Sequence, residues 1–239
     1  MTWPAAPGQC DGVDAVVNRF EVLSDILEQR YSCRAFRPDP VPRAQFEAMF
    51  GIAQRTASWC NAQPWQVALL SGDALERFRS GLVEMAEQGG SEPHIDFPAS
   101  YDGVYAERRR ECGLALYQSV GIARDDMERR REQHMDNFRL FGAPHVAVIS
   151  TARNLGTYGA VDCGGYVSNL LNAATSLGIA SIPQAAPARY GHYVADAIGL
   201  SGDRLIVCVV SFGYADTSHP VNGFRTSRAG VPSVVSFLD

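Results

Sequence analysis

The chain has 239 residues, 46% hydrophobic and 20% charged, with a formal net charge of -5. That length accommodates one large domain or two small ones, and that composition can bury a full core. The acidic balance argues against general nucleic-acid binding, which needs a basic footprint. All 21 residues of the Lys+Arg count are Arg, so a Schiff-base or catalytic-lysine mechanism is excluded. The six cysteines, at positions 10, 33, 60, 112, 163 and 208, form no C-x-x-C pair. Zinc and dithiol motifs are therefore absent, and free thiols in a reducing compartment are expected. No apolar run reaches the ~18 residues of a membrane helix. Met1 to Asp14 lacks a basic region followed by an apolar one, so no signal peptide is expected and the cytoplasm is the expected location.

In chain order, residues 1–17 read as an arm without periodicity. Residues 18–30 read as a helix with Phe20, Leu23, Ile26 and Leu27 on one face. Pro42 suits the first turn of a second helix, with Phe46, Met49, Phe50 and Ala53 at helical spacing and an end near Ala57. Trp65–Ser71 reads as a strand. Asp73 then starts a helix whose buried stripe is Leu75, Phe78, Leu82 and Met85. Residues 89–103, rich in Gly and Pro, form a loop or lid hinge. Helices near 104–119 and 125–138 follow. Each contains Glu-Arg-Arg-Arg-Glu, which reads as a solvated face of Glu–Arg pairs rather than a nucleic-acid contact. Pro144–Thr151 is a second strand. Val161–Leu177 is apolar on nearly every face, predicting a helix buried centrally or in a subunit interface, with Gly178 as its cap. Ser181–Pro187 reads as a turn before a helix near 188–198. Leu205–Phe212 is a third strand, and Val231–Leu238 is a candidate to pair as another. No G-x-G-x-x-G follows a strand and no Walker pattern occurs, so a Rossmann or P-loop site is not expected.

The chemistry concentrates in three separated blocks. The first is Arg30-x-Ser32-x-Arg34-x-Phe36, in a segment that two prolines, Pro38 and Pro40, keep from being helical. Arginine is the side chain best suited to grip a phosphate through paired, charge-assisted hydrogen bonds. The plainer alternative is a solvated helix end, where cations offset exposed carbonyls. The second block is Ala57-Ser58-Trp59-Cys60-Asn61-Ala62-Gln63-Pro64-Trp65. The third is Asn222-x-x-Arg225-x-x-Arg228. Trp59 and Trp65 alone suggest core or interface residues, Asn61 a turn residue and His145 a structural one.

Together the blocks resemble the FMN-dependent nitroreductase superfamily, over most of the chain from about Leu23 onward. Asp162-x-Gly164 and Asn169-Leu170-Leu171 through Leu177-Gly178 belong to the same likeness. The second and third blocks are most similar to the aromatic, nitrobenzoate-reducing branch. The resemblance implies an α+β sandwich: a central, mostly antiparallel sheet covered by helices. It implies one domain with a lid at 89–140, and a homodimer whose C-terminal extension, 216–239, is exchanged between subunits. Each FMN would lie in the interface, lined by both subunits. It implies an NAD(P)H-dependent flavoenzyme that reduces nitroaromatic or quinone-like acceptors in ping-pong order, with NADH or NADPH as co-substrate.

Site roles follow residue by residue. Arg30, Ser32, Arg225 and Arg228 would clamp the FMN phosphate, with Tyr31 and Cys33 in the same segment. Arg34 would place a cation at the N1/O2 edge. Ser58 and Asn61 would meet the flavin's polar edge. Pro183, Gln184 and Ala185 would bring a backbone N–H to N5, so no side-chain acid is required and no residue is expected to be catalytic in its own right. Cys60, Tyr105 and Phe138 are the candidate acceptor contacts, and Tyr101 a further lid aromatic. Two competing readings stand beside this one. One is reductive dehalogenation within the same superfamily, which the absence of Lys disfavours. The other is a flavin-binding module without turnover.

Overall fold

The structure, a computed structural model, describes residues 18–238; the predicted arm at 1–17 lies outside the described residues. Four strands form its sheet: β1 (Gln66–Ser71), β2 (His145–Ala152), β3 (Ala180–Gln184) and β4 (Arg204–Gly213). Their order is β1-β2-β4-β3, and every pairing is antiparallel. The central strand β2 is buried along nearly its whole length. Its side chains alternate between two cores, as a strand's period of two requires. Ala147 and Ile149 face one core with Val210 and Phe212; Val146 and Val148 face the other with Ile206 and Val209. In β4 the alternation is broken. Ile149 pairs with Cys208 but Ser150 with Ile206, so Val207 is the extra residue of a bulge.

Helices cover both faces. On the first lie α2 (Arg43–Ala53) and α6 (Gly156–Ser176), which pack on each other, and α1 (Arg19–Gln29), which touches α6. On the second lie α3 (Gly72–Gln88) and α7 (Gly191–Ala197). The stripe predicted for α3 is the observed one: Leu75, Phe78 and Leu82 are buried, with Met85 partly so. Between α3 and β2 the chain forms α4 (Gly103–Ser119) and α5 (Met127–Met135), the two predicted lid helices.

Three expectations need correction, and a fourth is narrowed. The helix α2 ends at Ala53, not near Ala57; the chain turns there, with Thr56 Oγ1 donating to Ala53 O. The predicted turn at 181–187 begins as a strand, because Ala180–Gln184 pairs with β4; Pro183 is tolerated there since β3 is an edge. Val231–Leu238 is not a strand: it forms a 3₁₀ turn at Val231–Ser233 and is exposed thereafter. Finally, α6 is not buried centrally on every face, which leaves the subunit interface as the expected cover for its other stripe. Cys163, Tyr166, Val167, Leu170 and Leu171 are buried, while Tyr158, Val161, Gly164 and Gly165 are exposed along the opposite stripe. Gly159 lets α6 lie close on β2, since a Cβ there would sit 2.5 Å from Thr151 Oγ1. Gly178 caps the helix at φ +70°, as expected, with Ile179 N donating to Ala174 O.

His145 is structural. Its Nε2 accepts from Val41 N at 2.9 Å, which leaves the proton on Nδ1 to donate to Ser71 Oγ at 2.6 Å. Burial holds its pKa below the ordinary value.

Candidate active site: an arginine-lined cavity

The segment after α1 is extended, as the prolines predicted. Ser32 bridges Ser181 in parallel, and Cys33 N donates to Ser181 O at 3.1 Å. The segment is thus laid along the outer edge of β3. Cys33 turns into the core: its thiol is fully buried, donates to Ala35 O, and is pushed above its ordinary pKa by burial. Its side chain is therefore no cofactor contact. Tyr31, Ser32 and Arg34 stay partly accessible.

After β4 the chain returns to this same segment. Asp216 N donates to Ala35 O at 3.0 Å. The buried side chain of Asn222 then locks the two stretches together. Its Oδ1 accepts from Arg34 N at 2.9 Å, and its Nδ2 donates to Ala35 O and Asp216 O, both at 2.8 Å. This fastening sets Phe224, Arg225 and Arg228 beside Arg30 and Ser32 of the same chain. Arg225 lies 3.7 Å from the centroid of the Tyr31 ring and donates to Asn222 O at 2.7 Å. Arg228 donates to Thr226 Oγ1 at 2.6 Å and Ser227 O at 2.8 Å. Arg34 donates to Ser32 O at 3.1 Å, with its guanidinium 5.8 Å from the Phe224 ring.

The result is a cavity of about 380 Å³ lined by Arg30, Tyr31, Ser32, Arg34, Arg225 and Arg228. None of these arginines belongs to any of the ion pairs among the described residues. Arg34, Arg225 and Arg228 donate to neutral oxygens, mostly backbone carbonyls, so their positive charge is not cancelled. Glu28 reaches only the cavity wall. Burial, and then the charge of Arg228, holds the Arg30 guanidinium below its ordinary pKa. Burial does the same to Arg34. Cations crowded without a counter-charge are what a phosphate dianion would relieve.

A pattern for the Nitroreductase family matches residues 27–214. The chain belongs to the nitroreductase family. Nitroreductase NfnB of Mycolicibacterium smegmatis is 37% identical to it over 225 residues, 92% of this chain and 94% of the relative. A 4-nitrobenzoate reductase of Pseudomonas putida is 29% identical, covering 89% of this chain and 94% of its own. The solved structure of the FMN-dependent nitroreductase NfnB from Mycobacterium smegmatis in complex with NADPH superposes with a TM-score of 0.88, at 35% identity, covering 92% of this chain and 99% of that one.

Within this nitroreductase-family chain the other expected contacts are not gathered around the arginines. Ser58, Cys60 and Asn61 lie on an exposed 3₁₀ turn, Trp59–Asn61, that lines neither arginine cavity. Cys60, Asn61 and Gln63 there have φ between 47° and 54°, a costly region for side-chain-bearing residues. The turn is held by Trp59 N donating to the Asp162 carboxylate of α6, and by Gln63 N donating to Ser58 Oγ. Trp59 is exposed with its ring edge-on to Tyr158, whereas Trp65 is buried and stacks on Tyr166. Gln184 turns inward, its amide donating to Asn137 O and accepting from Ser211 Oγ, so only its backbone is available at the sheet edge. Pro183 and Ala185 flank it and are exposed.

One acceptor assignment fails, and another is not drawn to the arginines. Phe138 is 2% exposed and packs against Tyr190 and His134 in the second core, so it is no acceptor contact. Tyr105 lines a separate shallow surface depression with Tyr101, away from the arginines. The lid residues that do reach the arginines are Arg108, Glu111 and Cys112 of α4, in a second cavity of about 540 Å³ that shares Ser32, Arg34, Arg225 and Arg228. The sequence assigned Arg108 and Glu111 to a solvated face and passed over Cys112.

The resemblance implies exchange of the 216–239 segment between subunits, but the meeting of Arg225 and Arg228 with Arg30 needs no second chain. Asn222 brings them together within one chain.

Proposed function

We propose that this chain is an FMN-dependent nitroreductase that uses NADPH to reduce nitroaromatic acceptors. The observation that carries the proposal is the unpaired arginine set at the Arg30–Ser32–Arg228 cavity, in a chain of this family. The cavity fits a phosphate monoester: Arg30, Arg225 and Arg228 supply the cations and Ser32 a hydroxyl donor. The chemistry FMN supplies, when bound, is two-electron transfer from the reduced nicotinamide to the acceptor, in ping-pong order. The balanced first reduction converts a nitro group, NADPH and a proton into a nitroso group, NADP⁺ and water.

The chain's own residues bind and orient. Arg34, held by Ser32 O and by the Asn222 bond to its backbone, offers a fixed cation that offsets negative charge at the cofactor's pyrimidine edge. Asn222 keeps Arg34 and Arg225 in register. The shifted groups of this cavity are two guanidiniums, Arg30 and Arg34, lowered mainly by burial, and the Tyr31 phenol, raised mainly by burial; none is a carboxylic or imidazole acid, which accords with protons drawn from solvent.

A homodimer completes this reading. Phe20, Leu23 and Leu27 of α1 and Tyr158 and Val161 of α6, with Trp59, are exposed on two elements that touch. An apolar patch of that kind is typical of a buried interface. The strained Ser58–Asn61 turn of a second copy would bring the missing polar contacts to the flavin. Residues 216–224 stay on their own subunit, so only the tail beyond the arginines, with exposed Val231, Val234, Phe237 and Leu238, is left to cross over.

The test is direct. The purified protein should release FMN at about one per chain, and should oxidise NADPH only when a nitroarene such as 4-nitrobenzoate is present. Folded protein that binds no flavin refutes the proposal. Light scattering that shows a monomer retaining FMN refutes the dimeric site.

A further inference from the structure

The second cavity has one wall without an assigned task. Helical spacing sets Arg108, Glu111, Cys112 and Ala115 on one face of α4, and these line it. The face is only partly packed: Ala115 is partly buried and α4 touches the Pro220–Gly223 turn, while Arg108, Glu111 and Cys112 are exposed. The neighbouring arginines are otherwise disposed: Arg109 lies 5.2 Å from the Tyr101 ring, and Arg110 is exposed and lines neither arginine cavity. Arg108 takes part in no ion pair among the described residues, and Glu111, one turn on, does not pair with it.

Charge decides what the wall can hold. Five guanidiniums and two carboxylates, Glu28 and Glu111, line the two cavities. With Arg30, Arg225 and Arg228 given to the phosphate and Arg34 to the cofactor's pyrimidine edge, Arg108 is the one guanidinium lining the two cavities that has no assigned ligand. At about 540 Å³ the cavity has room for a ligand of ordinary size.

We propose that Arg108 is a specificity-determining residue that receives the oxyanion of the second ligand, either the 2′-phosphate of the nicotinamide co-substrate or the carboxylate of an acidic acceptor. The inference rests on the flavoenzyme reading above. A guanidinium pairs with both oxyanions through parallel N–H donors.

The experiment compares Arg108→Gln, Arg108→Lys and Arg110→Gln with the wild-type holoprotein. Two ratios of kcat/KM are measured: NADPH over NADH, and 4-nitrobenzoate over nitrobenzene. Arg108→Gln should lower one of them about 10- to 100-fold, the worth of one charge-assisted hydrogen bond. Arg108→Lys should restore part of it, and Arg110→Gln should leave it as in the wild type. The ratio that falls names the source of the oxyanion. Calorimetry with 2′-AMP against adenosine, and with benzoate against benzamide, gives a readout without turnover; Arg108→Gln should erase the preference for the anion. Unchanged ratios and unchanged titrations in flavin-loaded Arg108→Gln overturn the inference while leaving the flavoenzyme reading intact. Wild-type protein that binds no flavin overturns that reading, and this inference with it.

Discussion

Replacing Arg228 with Ala tests the phosphate clamp in both directions. Without flavin, Arg228 adds its charge to burial in lowering the Arg30 pKa and has no carboxylate partner among the described residues. Its removal should therefore leave the flavin-free protein as stable as before or slightly more so. With flavin, the variant loses a charge-assisted contact worth about 1.5–3 kcal/mol, or about 10- to 100-fold in FMN affinity. At a flavin concentration of about 100 times the wild-type Kd, ligand linkage stabilises the wild type by ~2.7 kcal/mol. A 100-fold weaker variant sits at its own Kd and gains only ~0.4 kcal/mol. For a chain of this size each kcal/mol moves Tm by about 2–4 °C. The FMN-induced shift should thus fall from about 5–11 °C to about 1 °C. Thermal melts of apo and reconstituted protein at fixed FMN, with a fluorescence titration for Kd, give both halves. A Kd within about twofold of wild type would show that the arginines converge for some other reason.

Three further outcomes are expected. Arg34→Ala should lower the flavin midpoint potential by about 30–60 mV, or ~1.4–2.8 kcal/mol for a two-electron couple, and should weaken FMN binding less than Arg228→Ala; spectroelectrochemistry that finds an unchanged potential at full occupancy would put Arg34 at the wrong end of the flavin. Acid should destabilise the protein through His145 and His94, whose Nε2 and Nδ1 respectively accept backbone N–H bonds and whose folded pKa values are lowered, mainly by burial. The unfolded chain takes up protons near its ordinary value of about 6.5 while the folded one resists, so their stability contribution is complete above that pH and is lost below it, by up to ~1.4 kcal/mol per pH unit and group. Urea midpoints between pH 7.5 and 5 that do not move, or that move equally in His145→Gln, would contradict this. Phe138→Ala should cost about 3–5 kcal/mol by opening the second core; a small loss in Tm with a changed acceptor profile would return Phe138 to the site.

Much of the chain was legible because its cues are local. The α3 stripe of Leu75, Phe78 and Leu82 repeats at helical period and is buried where that period puts it. Gly178 stops α6 where a left-handed residue is needed. Arg30-x-Ser32-x-Arg34 and Arg225-x-x-Arg228 stood out as cationic blocks, since arginine is suited to oxyanions by residue type, and they share one cavity. Other features depend on partners far away in the chain. The strand β3 exists because β4 pairs with it, and its Pro183 disguised it as a turn. The C-terminal arginines reach Arg30 because Asn222 bonds Arg34 and Ala35 across nearly the whole chain. Among three consecutive exposed arginines on α4, nothing local marks which one lines the second cavity, so sequence alone could not single out Arg108. Phe138 looked available on a lid and was claimed by the core against Tyr190. Residue chemistry and short-range periodicity thus determined the ingredients of the site. Which of them share one cavity was decided by long-range hydrogen bonds and burial, whose free energy depends on neighbours that only the folded chain supplies.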